Sequence, residues 1–287
     1  MSSTKEKLKK VKFLLNTKRI FDQKLWDIKQ LIHTFTNKNN KISDYTISFG
    51  ITCKGRLWQL KKTLLKNIQD NSDYEKCNFV LIDYNSKDGL EKWINKNFRK
   101  YIQSNKLVYY KNSTFENFQM AHAKNISHRL ADGEIIVNLD GDNYTGKGFA
   151  AFVNQEFKKT KNIILVSNRG NGSNGRIGML KENFFGIRGY DEAFKRNYCE
   201  ETDLVNRLKR KYSLCEIKIP DRFLNHLLNE VKNYENEKYQ KDLDEKIAKN
   251  TKLFKKHNFE WTTDNVNQKG YGKGIFVKNF KEKIILK

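Results

Sequence analysis

Between residues 43 and 140 the chain alternates short apolar runs with stretches of helical periodicity, and few folds accept that pattern. YTISFGIT (45–52), NFVLID (78–83), KLVYY (106–110) and EIIVNLD (134–140) read as strands. Residues 56–70, 88–99 and 117–131, which separate them, read as helices. Apolar strands joined by crossover helices mark a parallel sheet covered on both faces. The expected class is therefore α/β, a parallel sheet with crossover helices. Ligands of such sheets lie beyond the carboxyl ends of the strands. Three predicted ends are polar, Thr52–Arg56, Asp83–Ser86 and Asp140–Asn143, and a shared sheet would bring them to one rim.

The pattern continues with a helix over 147–159, a strand NIILVS (162–167) and a loop NRGNGSNGRIG (168–178) holding four glycines and three asparagines. That loop reads either as plain surface or as a lid over a bound ligand. Residues 200–211 read as a helix opening on acidic residues, and SLCEIKIP (213–220) as a last strand. Residues 226–287 form a C-terminal extension that begins helical and ends in an aromatic, basic tail. Residues 1–42 are Lys-rich, with Leu8, Val11, Leu14, Leu15, Ile20, Phe21, Leu25, Trp26 and Ile28 at amphipathic-helix spacing. This N-terminal extension is expected to pack on the body or on a partner chain, as in a dimer, with a membrane-surface helix as the other reading. The body, 43–225, divides at the aspartates into halves 43–146 and 147–225.

Charge narrows the partners. A formal net charge of +23 favours anionic ones: nucleotides, nucleic acid or an acidic membrane surface. The basic residues are spread along the whole chain, which argues against a dedicated nucleic-acid arm. The cysteines, at 53, 77, 199 and 215, show no zinc or disulfide spacing and are expected as free thiols. No run has the length of a signal-peptide core or a membrane span. The expected location is cytoplasmic, or peripheral to a membrane.

The segment NLDGDNYTG (138–146) ends the fourth strand on Asp140 and Asp142. Two carboxylates at i, i+2 can hold a divalent cation shared with substrate phosphates. Asp and Gly are also ordinary turn residues. The buried strand before them and the polar ends beside them favour the cation.

Four segments, ITCKGRLWQLKKTL, NFVLIDYNSKDGLEKWI, AHAKNISHRLADGEIIVNLDGDN and GRIGMLKENFFGIRGYDEAF…EETDL, occur in that order. Over residues 45–230 they resemble nucleotide-sugar glycosyltransferases of the GT-A fold. Together they are similar to the large inverting family 2, and the second half to the galactosyltransferase-type C-terminal segment. The fold this resemblance implies is a Rossmann-like, mixed but mainly parallel sheet flanked by helices, with helical N- and C-terminal extensions. The resemblance implies that 43–146 is the nucleotide-binding half and 147–225 the acceptor half. It implies donor contacts from Thr52, Lys54, Arg56, Asp83, Lys124, Asn125, Asp140 and Arg176. Asp142 matches the direct metal ligand, with Asp140 beside it on the ribose or the metal, and His226 matches a histidine that completes the shell; the implied cofactor is Mn²⁺ or Mg²⁺. Glu201 falls on the position of the catalytic base, where the family pattern has Asp, and Glu200 precedes it. Tyr84 stands where the family usually has a second Asp. FKRNYCEE lacks the usual tryptophan and glycines before the acidic pair.

The resemblance implies a metal-dependent inverting transfer of a hexosyl group from a nucleoside-diphosphate sugar, with uridine as the expected base. The acceptor is a hydroxyl of a glycan, a lipid-linked sugar or a protein. Two other readings are a non-catalytic basic nucleotide- or nucleic-acid-binding protein on the same fold, and a nucleotidyltransferase. TCKGR is too short for a nucleotidyltransferase phosphate loop.

Overall fold

The computed structural model describes residues 43–167, 175–195, 199–227, 237–260 and 266–287. The amphipathic segment 1–42 and loop residues 168–174 lie outside the described residues. The centre of the molecule is four parallel strands, β1 (Ile47–Cys53), β2 (Cys77–Tyr84), β3 (Leu107–Asn112) and β4 (Ile135–Asn138), in the order β3-β2-β1-β4. Every residue of β2 and β4 is buried, which is why these strands read as unbroken apolar runs. Phe79 and Leu81 of β2 join one core with Phe49, Leu64, Ile94 and Phe149. Val80 and Ile82 point to the opposite face, into a second core with Ile126, Ile136, Met179 and Leu204. The two-residue period of a strand thus divides one apolar run between two helical layers.

The helices fall close to where their periodicity predicts: α1 (Leu57–Asp70), α2 (Leu90–Asn97), α3 (Arg99–Gln103), α4 (Met120–Leu130) and α5 (Phe149–Lys159). The single expected helix over 88–99 is two, broken at Phe98, whose ring is buried against Trp93 and Tyr101.

Beyond β4 the sheet becomes mixed. A two-residue strand, β5 (Asn143–Tyr144), leaves the main sheet; β6 (Ile163–Val166), β7 (Ile177–Leu180) and β8 (Cys215–Lys218) extend it. β7 is antiparallel to both β4 and β6, and β8 is parallel to β6. The end of the expected loop 168–178 is therefore strand. α6 (Lys181–Gly186) follows β7, and α7 (Glu200–Tyr212) precedes β8. β9 (Asn225–His226) pairs with β5 in a separate two-stranded ribbon. Residues 237–260 form the long α8.

The expected aromatic, basic tail is a hairpin, β10 (Gly274–Lys278) and β11 (Glu282–Leu286), added antiparallel to β3 at the sheet edge. Its turn places both Asn279 and Phe280 in the left-handed region. That conformation is costly for a phenylalanine. The Phe280 ring stacks on Tyr109 at 5.0 Å, and the Asn279 side chain accepts from the Tyr109 N–H at 2.9 Å. Among the described residues no helix is long and apolar enough to cross a membrane.

Candidate functional site

The parallel register brings the strand ends to one rim. Cys53, Asp83 and Lys111 stand side by side across β1, β2 and β3. Gly50 pairs with Asn138, and the Leu139 N–H reaches the Gly50 carbonyl at 2.9 Å. The Asp140–Asp142 segment thus leaves β4 beside the polar end of β1. Three fixed partners hold it there. Thr63 of α1 donates to the Gly141 carbonyl at 2.7 Å. Asn67, also on α1, donates to the Asn143 carbonyl at 2.9 Å and accepts from the Thr145 N–H at 2.8 Å. Asn138 donates to Asp140 at 3.2 Å and to the Gly175 carbonyl at 2.8 Å.

Gly175 marks a close approach. A Cβ at that position would lie 2.8 Å from Asp140 Oδ2. Asp140 is pushed above the ordinary aspartate value by burial, with Glu201 and Asp142 adding repulsion and Lys124 opposing it. Below this loop, the buried Arg176 bonds to the Phe223 carbonyl and donates to Asn143 Oδ1 at 3.1 Å, with its guanidinium 5.5 Å from the Phe149 ring centre. Burial lowers Arg176 to about 10, while Asp140 and Asp142 act to keep it charged. Its contacts pin the carboxylate loop to the Phe223 turn.

His226 enters through the small ribbon. Asn143 pairs with His226, and the Leu227 N–H donates to the Asp142 carbonyl at 2.8 Å. The three expected metal donors therefore come from one loop and its neighbouring strand. Among the described residues, no three His, Cys, Asp or Glu side chains are grouped closely enough to hold a metal by themselves. Two carboxylates that repel each other at the strand-end rim, with an imidazole strand alongside, would fit a divalent cation that draws further oxygens from a ligand. They fit a partial shell rather than a self-sufficient one.

The second cluster lies at the start of α7. Lys124 on α4 is almost wholly buried, and its Nζ is 2.5 Å from Glu201 Oε1 and 3.9 Å from Glu200 Oε1. Burial alone would favour the neutral amine, yet Glu201, Tyr190, Asp140 and Glu200 hold Lys124 well above the ordinary lysine value. Burial and the neighbouring Glu201 charge raise Glu200 to about 8. Burial also acts to raise Glu201, but Lys124 overrides it, so the Glu201 carboxyl lies below the usual glutamate range. At neutral pH Glu201 is ionised and retains 24% side-chain exposure, whereas Glu200 is protonated and has none. Neither Glu200 oxygen nor the Tyr190 hydroxyl has a hydrogen-bond partner among the described residues. Buried polar groups are rarely left so.

The remaining expected contacts divide. Thr52 and Arg56 sit at the rim, Thr52 half-buried and Arg56 exposed at the start of α1. Lys54 donates to the Tyr84 and Phe115 carbonyls at 3.2 and 3.0 Å. Asp83 is fully buried and accepts from the Tyr109 hydroxyl and the Ser86 N–H, each at 2.7 Å. Burial raises its carboxyl, and those hydrogen bonds oppose the shift. Asn125 turns inward: it donates to the Tyr190 carbonyl and to Glu192, both at 2.9 Å, and accepts from the Tyr190 N–H at 2.8 Å. It holds the 190–192 segment against α4. His122 bonds the Tyr84 hydroxyl at 2.8 Å inside an aromatic group with Phe115. His128 is buried beside Phe184 and Tyr190, and burial lowers it to about 3.

Two features have little sequence signal. Tyr190 places its ring 5.4 Å from Lys124 Nζ. His257 on α8 bonds Asp203 at 2.7 Å and lies 3.4 Å from Asp191, while Asp203 pairs with Arg207 at 2.7 Å. This network locks the first turn of α7, and with it the Glu200–Glu201 pair, to α8. His257 lies more than fifty residues from both of its aspartates, so spacing does not reveal it.

Known proteins share this architecture. The family model for glycosyl transferase family 2 matches residues 48–214. No curated protein matches the chain. Among solved structures, the mannosyltransferase PcManGT from Pyrobaculum calidifontis, in complex with GDP-Man and Mn²⁺, superposes with a TM-score of 0.55 at 14% identity. The alignment covers 79% of this chain and 70% of that one. S. aureus TarS 1–349 in complex with UDP gives 0.53 at 13% identity, over 77% and 73% of the two chains. GalNAc-T7 with UDP, GalNAc and Mn²⁺ gives 0.54 at 16% identity, over 63% of this chain and 43% of that one. At such identities the likeness is one of fold.

Proposed function

The chain belongs to glycosyl transferase family 2, and from that premise we propose that it is a metal-dependent, inverting transferase using a nucleoside-diphosphate sugar. The GT-A fold and the relation to nucleotide-sugar glycosyltransferases support the donor class. A uridine diphosphate sugar is the first donor to test, since TarS and GalNAc-T7 were solved with UDP; the GDP-Man complex makes guanosine the comparison.

Residues 43–146 form the nucleotide half in this reading. Thr52 and Arg56 face the nucleotide at the end of β1. Lys54 and Asp83 shape that end from behind, and Asn125 and Arg176 set the walls. Asp142, with Asp140 and His226, would hold Mn²⁺ or Mg²⁺. When bound, such a cation supplies Lewis-acid neutralisation of the departing diphosphate. Both solved relatives named with Mn²⁺ support it.

The observation that carries the reading is the Lys124–Glu201–Glu200 cluster. Inversion needs an ionised carboxylate within reach of the acceptor hydroxyl. Glu201 meets the charge requirement and is partly exposed; Glu200 is neutral and enclosed. Glu201 is therefore assigned as base, and Glu200 as the neutral neighbour that keeps a second negative charge away. The Lys124 contact holds the Glu201 carboxylate toward α4. The acceptor would bind in the half 147–225.

The test is a thermal-shift screen of UDP- and GDP-sugars with and without Mn²⁺, since a donor that binds the folded state raises its melting temperature by mass action. Glu201→Gln should keep the shift of the best donor while lowering transfer roughly 10²–10⁴-fold. Near-parental turnover would remove Glu201 from the role. A donor shift that Asp142→Ala leaves unchanged in Mn²⁺ would remove the metal site.

A further inference from the structure

The edge hairpin β10–β11 carries a surface that the proposed reaction does not use. Cross-strand register puts Ile275 opposite Ile285 and Val277 opposite Lys283. Alternation along the strands sends these side chains to one face, together with Lys273 and Lys287. All six are exposed: Ile275, Val277 and Ile285 at 45%, 41% and 55%, and the three lysines likewise. The opposite face holds the buried Phe276 and the half-buried Ile284 and Leu286, which pack into the second core. The hairpin is thus amphipathic in an uncommon sense: its outer face is aliphatic in the middle, ringed by cations, and those six positions contain no acid.

We propose that this face docks the protein on an anionic lipid surface, with the aliphatic side chains at the headgroup boundary and the lysines on the lipid charges. Charge decides among the occupants. A second copy packed face to face would bring Lys273, Lys283 and Lys287 of one chain toward the same three lysines of the other, which repel. Residues 1–42 contain 11 Lys and Arg against 3 Asp and Glu, so that segment also repels the face. A bilayer rich in acidic lipid offers both the missing negative charge and an apolar layer. The net charge of +23 adds long-range attraction toward the same surface.

The experiment is sedimentation of the full chain with vesicles of pure phosphatidylcholine, and of phosphatidylcholine containing phosphatidylglycerol, at low and high salt. Two variants are compared, Ile275→Ser/Val277→Ser/Ile285→Ser and Lys273→Glu/Lys283→Glu/Lys287→Glu. Both change only exposed side chains, and an unaltered melting temperature and donor-induced shift confirm that each is folded with its sugar-nucleotide site intact. The expected result is binding to phosphatidylglycerol vesicles only, weakened by salt, with a drop of about tenfold or more in partitioning for each variant. No binding to the acidic vesicles, equal binding to pure phosphatidylcholine, or unchanged partitioning of both variants overturns the proposal. So does a dimer in solution that the isoleucine substitutions dissociate, which would assign the face to a second copy.

Discussion

A single buried carboxyl shows how the candidate site is charged. Glu200 is raised to about 8 by burial and by the Glu201 charge. An ordinary glutamate titrates near pH ~4.3, so the folded chain holds a proton here that the unfolded chain has lost across the interval between. The stabilisation from that proton is complete below the unfolded value and disappears as pH rises through the folded one. The parent protein should therefore lose melting temperature as pH rises from about 4.5 to about 8, and Glu200→Gln should flatten that decline. An equal slope in the two proteins would show that Glu200 is not the proton's site. Gly175 makes a steric prediction. Its missing Cβ leaves room for Asp140 Oδ2, so Gly175→Ala should cost about 1–3 kcal/mol of stability and weaken the donor-induced thermal shift. Asp140, Asp142, Glu200 and Glu201 were readable as a chemical set, because paired carboxylates after a buried strand or opening a helix stand out in a chain of net charge +23. The separate charge states of Glu200 and Glu201 were not: they depend on Lys124, which lies 77 residues from Glu201.

At the level of elements, the carboxylate loop is held by α1 and by the β5–β9 ribbon rather than by β4 alone. Asn67→Ala removes three hydrogen bonds to that loop and leaves the buried Asn143 carbonyl and Thr145 N–H without this partner. Unmet buried groups of this kind cost about 1–3 kcal/mol each, so the variant should melt lower and bind a Mn²⁺-donor pair more weakly, as read by calorimetry. The long parallel strands were legible because burial on both faces makes them apolar throughout. β7 was not, because its four residues follow directly on a Gly/Asn loop and carry no turn signal of their own. The ribbon of two-residue strands has no periodicity to detect. The C-terminal hairpin did leave a trace, Asn279 between two apolar strands, but Phe280 in a left-handed turn makes sense only once its ring is seen stacked on Tyr109.

Across the whole molecule, distant chain segments close the sheet and brace the site. Phe276 is fully buried in the second core although its strand lies at the far end of the chain. Phe276→Ala should cost about 3–5 kcal/mol, measured by denaturant unfolding, because a large buried ring leaves a cavity. A cost typical of a surface site would mean that the hairpin is a mere appendage. In the same way His257 of α8 ties down α7 through Asp203, so the acidic pair is oriented by a helix outside the span of the family match. The sequence alone determined the α/β class, the succession of central strands and helices, the rim on which the carboxylates fall and the family. Each of these follows from local hydrophobic periodicity and short motifs, which are written in consecutive residues. Only the tertiary structure decided that Lys124 divides Glu200 from Glu201, that Asn125 and Asp83 turn inward, and that the tail becomes an edge hairpin with a basic, aliphatic outer face. Those outcomes come from burial and from contacts between residues far apart in the chain, and neither is encoded in the spacing of any one segment.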